Sequence, residues 1–147
     1  MEKIKIVVAG PRGRMGQEAV KLVLDTENYE LVGVLDRKND GIKLGEMDGF
    51  PKSEALIYTN IHQCFEEQKP DVLIDLTIPE VGMEHAVAAL EYGVRPVVGT
   101  TGFTSGDLQK LDDLCKRNEL GCIIAPNFAV GAVLMMKFSQ MAAKYFE

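Results

Sequence analysis

The sequence has little that would hold a metal, cross a membrane or coat a polyanion. Its 147 residues include two histidines and three cysteines. His62 and His85 belong to no cluster of His, Cys and carboxylates, so no metal site is expected. Cys64, Cys115 and Cys122 lack metal-ligand spacing. They read as reduced, mostly buried thiols, the first two in helices and the third in a strand. No apolar run approaches the ~18 residues that a membrane-spanning helix requires. Met1-Glu2-Lys3 leads straight into an apolar stretch without a signal-peptide pattern, so a cytoplasmic location is expected. Lysine and arginine number 16 against 22 acidic residues, a net charge of −6, which speaks against a general nucleic-acid surface. Internal repeats, low-complexity tracts and linkers are also missing.

What is present is ordinary globular material, 46% hydrophobic and 26% charged, at a length that suits one domain with a substantial core. Strand and helix patterns alternate from end to end. Lys3–Ala9 begins alternating and becomes fully apolar, as a central parallel strand does. Arg14–Asp25 carries Ala19, Val20, Val23 and Leu24 at helical spacing. Glu30–Leu35 is a strand, residues 39–54 a surface loop with a possible helical turn, and Ala55–Tyr58 a short strand. Asn60 is placed to cap a helix reaching Gln68. Val72–Leu76 is a strand, Glu80–Tyr92 a helix closed by Gly93, and Arg95–Val98 a strand. Thr104 and Asp107 form a capping box for a helix running to Asn118. Gly121–Ala125 is the last strand. The expected fold is α/β, a Rossmann-like, doubly wound and mostly parallel sheet.

Within this pattern, Val7-Val8-Ala9-Gly10-Pro11-Arg12-Gly13-Arg14-Met15-Gly16 stands out. A strand running into glycines that open a helix gathers free backbone N–H groups at a positive helix end, an anion site suited to a pyrophosphate. In an open parallel sheet, ligands collect beyond the C-terminal strand ends. Those ends read Gly10–Gly16, Asp36-Arg37, Thr77, Gly99-Thr100-Thr101-Gly102 and Ala125-Pro126-Asn127-Phe128, all rich in glycine, hydroxyl, amide or charge. Asp36, 20 residues after Gly16, suits the hydroxyls of an adenosine ribose. Arg12, Arg14 and Arg37 suit a 2′-phosphate. The acid favours NADH and the arginines tolerate NADPH, so use of both is expected, with NADH at least competent. Thr100, Thr101, Asn127 and Phe128 stand where a nicotinamide would lie. His85 reads as a partly exposed helix residue, and Asp75 as a buried, hydrogen-bonded structural carboxylate.

Residues 129–147 form a long helix that is apolar around most of its circumference, with only Lys137, Gln140 and Lys144 in a polar stripe. Such a surface calls for cover, either from a partner subunit or from a polypeptide that continues. The chain therefore divides into a dinucleotide-binding domain over 1–128 and this helix over 129–147.

Four segments carry a resemblance to a known family. They are Val8–Gly16, Asp75-Leu76-Thr77-Ile78-Pro79, Val98–Gly102 and Ala125-Pro126-Asn127-Phe128-Ala129-Val130-Gly131. In order and spacing they resemble the N-terminal, nucleotide-binding domain of 4-hydroxy-tetrahydrodipicolinate (dihydrodipicolinate) reductases. The resemblance implies NAD(P)H-dependent hydride transfer to a cyclic dicarboxylate imine in diaminopimelate and lysine biosynthesis. It implies that Gly10, Pro11, Arg12, Gly13, Arg14 and Met15 meet the pyrophosphate and that Asp36 holds the ribose. Arg37 would stand near a 2′-phosphate. Thr77, Gly99, Thr100, Thr101 and Ala125, Pro126, Asn127 and Phe128 would bind the rest of the cofactor, with Thr101 also touching a substrate carboxylate. The family often has Glu where Asp36 stands and Phe where Leu76 stands. Its second, α+β domain carries a His-His-x-x-Lys stretch with the proposed acid and builds a homotetramer. Nothing here matches that stretch, so no catalytic residue is assigned and a fragment is expected. The alternative is a free-standing module that binds or senses NAD(H) without catalysis.

Overall fold

A computed structural model describes residues 2–125 and 127–146. The element order is β1 (Ile4–Ala9), α1 (Arg14–Asp25), β2 (Tyr29–Leu35), β3 (Leu56–Tyr58), α2 (Ile61–Gln68), β4 (Val72–Asp75), α3 (Pro79–Glu91), β5 (Arg95–Val98), α4 (Ser105–Asn118), β6 (Ile123–Ile124) and α5 (Val130–Ala143). The strands form one sheet in the order β3-β2-β1-β4-β5-β6, and every adjacent pair is parallel. This is a Rossmann-like doubly wound sheet, with the chain reversing its direction of travel between β1 and β4.

Side-chain alternation along β1 builds both faces of the core. Ile6 and Val8 join Val20, Val23, Val34 and Ile57 on one side. Val7 and Ala9 join Tyr58, Cys64, Phe65 and Leu73 on the other. A third cluster, Ala86, Leu90, Val98, Leu111 and Leu114, packs α3 and α4 against the far end of the sheet. Gly16 lets α1 lie against the loop before it: a Cβ there would sit 1.9 Å from the Gly10 carbonyl oxygen.

Local signals set most element ends. The Asn60 side chain accepts from the N–H groups of His62 and Gln63, at 2.9 and 3.2 Å, and starts α2. Thr104 and Asp107 complete the capping box of α4. Gly93, at φ +76°, follows the end of α3 in the left-handed region.

Some expectations need correction. The last strand is shorter than Gly121–Ala125, because β6 is an edge strand paired only with β5. Cys122 therefore precedes a strand rather than lying in one. Only Cys64 is buried, and its thiol is pushed up to about 12 by desolvation; Cys115 and Cys122 are half-buried. Leu76 lies just past β4, and the loop over 39–54 contains a single 3-10 turn, Leu44–Glu46, that buries Leu44. On α5 no residue is buried, and its large apolar side chains are between 46% and 73% exposed. No helix among the described residues is long and apolar enough to cross a membrane.

Candidate functional site

The strand register aligns the C-terminal ends in one row. Ala9 is level with Leu35 and Asp75, Leu35 with Tyr58, Asp75 with Val98, and Val98 with Ile124. Five of the six following residues extend the ladder by one hydrogen bond each, while the sixth, Thr59, donates its N–H to Asp40 Oδ1 at 2.8 Å. Gly10 N–H donates to Leu35 O, Asp36 N–H to Tyr58 O, Leu76 N–H to Ala9 O, Gly99 N–H to Asp75 O and Ala125 N–H to Val98 O, at 2.8–3.1 Å. Gly10, Asp36, Thr59, Leu76, Gly99 and Ala125 thus form a second row along the sheet rim. The polar turns separated in sequence begin there.

A cleft of about 520 Å³ opens on this rim beside β1, β2 and β4. Gly10, Arg12, Gly13, Asp36, Arg37 and Thr77 line it, together with Leu35, Thr59, Leu76, Ile78, Val81 and His85. Gly10 sits at φ +79°, and a Cβ on it would lie 2.9 Å from Leu76 O, so only glycine allows this crossing. Gly13 differs: the protein atom nearest to an added Cβ is 3.6 Å away. Its bareness keeps the cleft open rather than relieving packing. Gly13 also precedes α1 without a side-chain cap, and the first turn of α1 has no acid. Neither a capping side chain nor an acid of its own first turn thus offsets the positive end of that helix.

Asp36 is the most constrained polar group of the cleft. Its side chain is 8% exposed. Oδ1 accepts from Arg37 N–H at 2.6 Å and from Arg12 Nη2 at 2.7 Å. Oδ2 lies 2.6 Å from Arg12 Nε, yet it is shielded from solvent and receives no aligned hydrogen bond from the described residues. The pairing raises the pKa of the Arg12 guanidinium, first through its hydrogen bond to Asp36 and then through the charge.

A second pair closes the opposite wall. Asp75, fully buried, accepts from Thr77 N–H at 3.0 Å and Thr77 Oγ1 at 2.6 Å through Oδ1. Its Oδ2 lies 2.5 Å from His85 Nδ1. A carboxylate only accepts, so Nδ1 carries the proton and is committed to Asp75. The structural role expected of Asp75 holds. His85 is, as expected, a partly exposed helix residue, on α3 with its side chain 18% exposed, and it also lines the cleft and is fixed by a buried acid.

The remaining expected residues lie outside this cleft. Pro11 is buried beneath the glycine loop, while Arg14 and Met15 are exposed on the first turn of α1. Gly99, Thr100, Thr101, Ala125, Asn127 and Phe128 occupy the ends of β5 and β6 and their following turns. Thr100 is buried with its Cγ2 against Gly82, while Thr101 and Asn127 are exposed. The Phe128 ring lies over Gly99, where a Cβ would come within 2.3 Å of it. Pro126 lies outside the described residues.

Sequence reasoning missed Thr59, although it follows β3 as Asp36 follows β2, and the strand-end rule was enough to find it. The apolar wall of Leu35, Leu76, Ile78 and Val81 had no sequence signal of its own.

Residues 4–128 match the family model "Dihydrodipicolinate reductase, N-terminus". The chain is 64% identical over 143 residues to the 4-hydroxy-tetrahydrodipicolinate reductase of Geobacillus thermodenitrificans, covering 97% of this chain and 54% of that protein. It is 60% identical over 146 residues to the Bacillus subtilis enzyme of the same name, covering 99% and 54%. A solved, dipicolinate-bound dihydrodipicolinate reductase from Paenisporosarcina sp. TG-14 superimposes with a TM-score of 0.84 at 51% identity, over 97% of this chain and 54% of that one. The chain thus spans about half the length of these relatives.

Proposed function

The chain belongs to the dihydrodipicolinate reductase family, matching its N-terminal portion, and on that premise we propose that it is the part of a 4-hydroxy-tetrahydrodipicolinate reductase that holds NADH or NADPH. The supporting observation is the cleft at the β1/β4 reversal. There a bare glycine turn, an uncapped helix end and a carboxylate paired with Arg12, one oxygen of it without an aligned hydrogen bond, face one another.

The residues present fit a dinucleotide. Gly10 and Gly13 bring backbone to the cleft without side chains, and the start of α1 offers N–H groups to a pyrophosphate. Asp36 Oδ2 becomes an acceptor for a ribose hydroxyl once the Arg12 Nε now against it shifts aside. Leu35, Leu76, Ile78 and Val81 supply an apolar wall for a base. Thr77 stands between the two sides, its hydroxyl held by Asp75.

When bound, the nicotinamide supplies a hydride from its C4. The chain's own task is to fix where that atom lies. In this reading Gly99, Thr100 and Thr101, with Ala125, Pro126, Asn127 and Phe128, seat the nicotinamide and its ribose. Thr101 also donates to a carboxylate of a cyclic dicarboxylate imine. The proton and the remaining substrate contacts come from the part of the reductase that this chain does not span. The whole protein acts as a homotetramer in the cytoplasm, in diaminopimelate and lysine biosynthesis.

Calorimetric titration of the chain with NADH and then NADPH tests this. Binding of at least one is expected, and Asp36→Ala weakens NADH by roughly 10- to 100-fold, the worth of hydrogen bonds to a charged acceptor. A folded chain that binds neither overturns the reading.

A further inference from the structure

The same carboxylate that faces the cleft already carries a cation. Arg12 projects from the glycine turn, crosses to the end of β2 and meets Asp36 through both Nε and Nη2. An acid after β2 ordinarily excludes a 2′-phosphate, because a dianion and a half-buried carboxylate repel one another. Here that negative charge is neutralised by a side chain from a different element.

We propose that Arg12 is an exchangeable counterion that sets cofactor choice: it stays with Asp36 when the adenosine ribose bears two hydroxyls and transfers to the phosphate when the ribose bears a 2′-phosphate. The proposal rests on the dinucleotide reading above.

Three observations support it. First, Arg12 lies at the solvent edge of the cleft. Its side chain is 44% exposed, and the side-chain partner described for its guanidinium is Asp36. Second, Asp36 does not need Arg12 to stay in place. Its Oδ1 keeps the Arg37 N–H, and its backbone N–H is tied to Tyr58 O. Third, the unaligned contact at Oδ2 leaves an acceptor for a ribose hydroxyl while Nη2 remains on Oδ1. NADH therefore requires only a small shift of the guanidinium, and NADPH a full transfer. Arg37 also lines the cleft, so the transferred Arg12 and Arg37 would flank the phosphate from two sides. Arg14, the first residue of α1, does not line the cleft.

The test is the affinity of the full chain for NADH and NADPH, followed by fluorescence or calorimetry, for the wild type, Arg12→Ala and Arg12→Lys. Thermal melts establish that each variant is folded. Arg12→Ala is expected to weaken NADPH by roughly 10- to 100-fold, as loss of a charge-assisted contact does, and to change NADH by less than about threefold. Arg12→Lys recovers part of the NADPH affinity, because the charge returns without the bidentate fork. Equal weakening of both cofactors would place Arg12 on the shared pyrophosphate and overturn the proposal. So would a larger loss of NADH, which would make Arg12 a support for Asp36, or no change in either. A wild-type chain that binds neither cofactor would instead overturn the dinucleotide reading.

Discussion

The two ends of the sheet rim are built differently. Beside β1, β2 and β4 the polar groups hold one another in place: Arg12 on Asp36, His85 and Thr77 on Asp75, and glycine backbones at contact distance. Beside β5 and β6 the groups are mostly in solvent. Thr101 and Asn127 are exposed, Phe128 is 41% exposed, and β6 is two residues long. The difference teaches that one fold can supply a preorganised pocket at one end of its rim and only a platform at the other. In the proposed reading the adenosine half of the cofactor meets a finished site, while the nicotinamide half meets a surface that a further wall must complete.

The largest effect that tests this contrast comes from a pair of glycines. At Gly16 an added Cβ meets backbone at 1.9 Å, which no side-chain rotation relieves. Gly16→Ala should lower the unfolding free energy by about 3 kcal/mol or more, measured by urea denaturation. At Gly99 the obstacles are the side chains of Phe128 and Leu76, at 2.3 and 2.5 Å. Phe128 is exposed enough to swing away, so Gly99→Ala should cost only about 1 kcal/mol. Equal costs would erase the contrast.

Next comes Asp75→Ala, which strips three donors of a buried acceptor. A loss of about 2–4 kcal/mol is expected in the same assay, since the His85 and Thr77 groups are left unmatched. A loss below about 0.5 kcal/mol would show that the cleft wall is not held this way. On the open side, Phe128→Ala should change stability by less than about 1 kcal/mol, as half-exposed apolar groups do.

The smallest effect is a pH dependence behind β5. Hydrogen bonds from the Thr104 backbone and hydroxyl hold the Asp107 carboxyl below its ordinary value of 3.8. A lowered folded-state pKa adds stability that is complete above the unfolded value and fades as pH falls through the folded one. Thermal melts of wild type and Asp107→Asn should therefore differ at pH 7, and the gap should close as pH falls below the ordinary carboxyl value and through the lowered folded one. A gap that persists in acid would assign the cap another origin.

Legibility in the sequence followed the range of the interactions. Helices α1, α2 and α4 were readable to the residue because Asn60, the Thr104–Asp107 pair and the spacing of Val20 and Val23 act within a few positions. The strand-end rule found Gly10, Asp36 and Thr77 for the same reason, since each directly follows an apolar run. The pairings that give the cleft its character were not readable. Arg12 reaches Asp36 across 24 positions, and His85 reaches Asp75 from a different element. Residue identity alone assigns no partner to either. The length of β6 was misjudged because an edge strand stops where its single neighbour stops offering bonds, a limit set by β5 rather than by Gly121–Ala125.

The place of β1 in the sheet also sets a timetable for synthesis. Its partner on one side, β2, follows within the same βαβ unit, but its partner on the other, β4, is made only after the loop, β3 and α2. At roughly 5–20 residues per second, the ribosome reaches Asp75 several seconds after Leu35. During that interval a strand destined for the middle of the sheet has one edge unpaired and one face bare. Any factor that shields emerging hydrophobic segments would find its longest opportunity there.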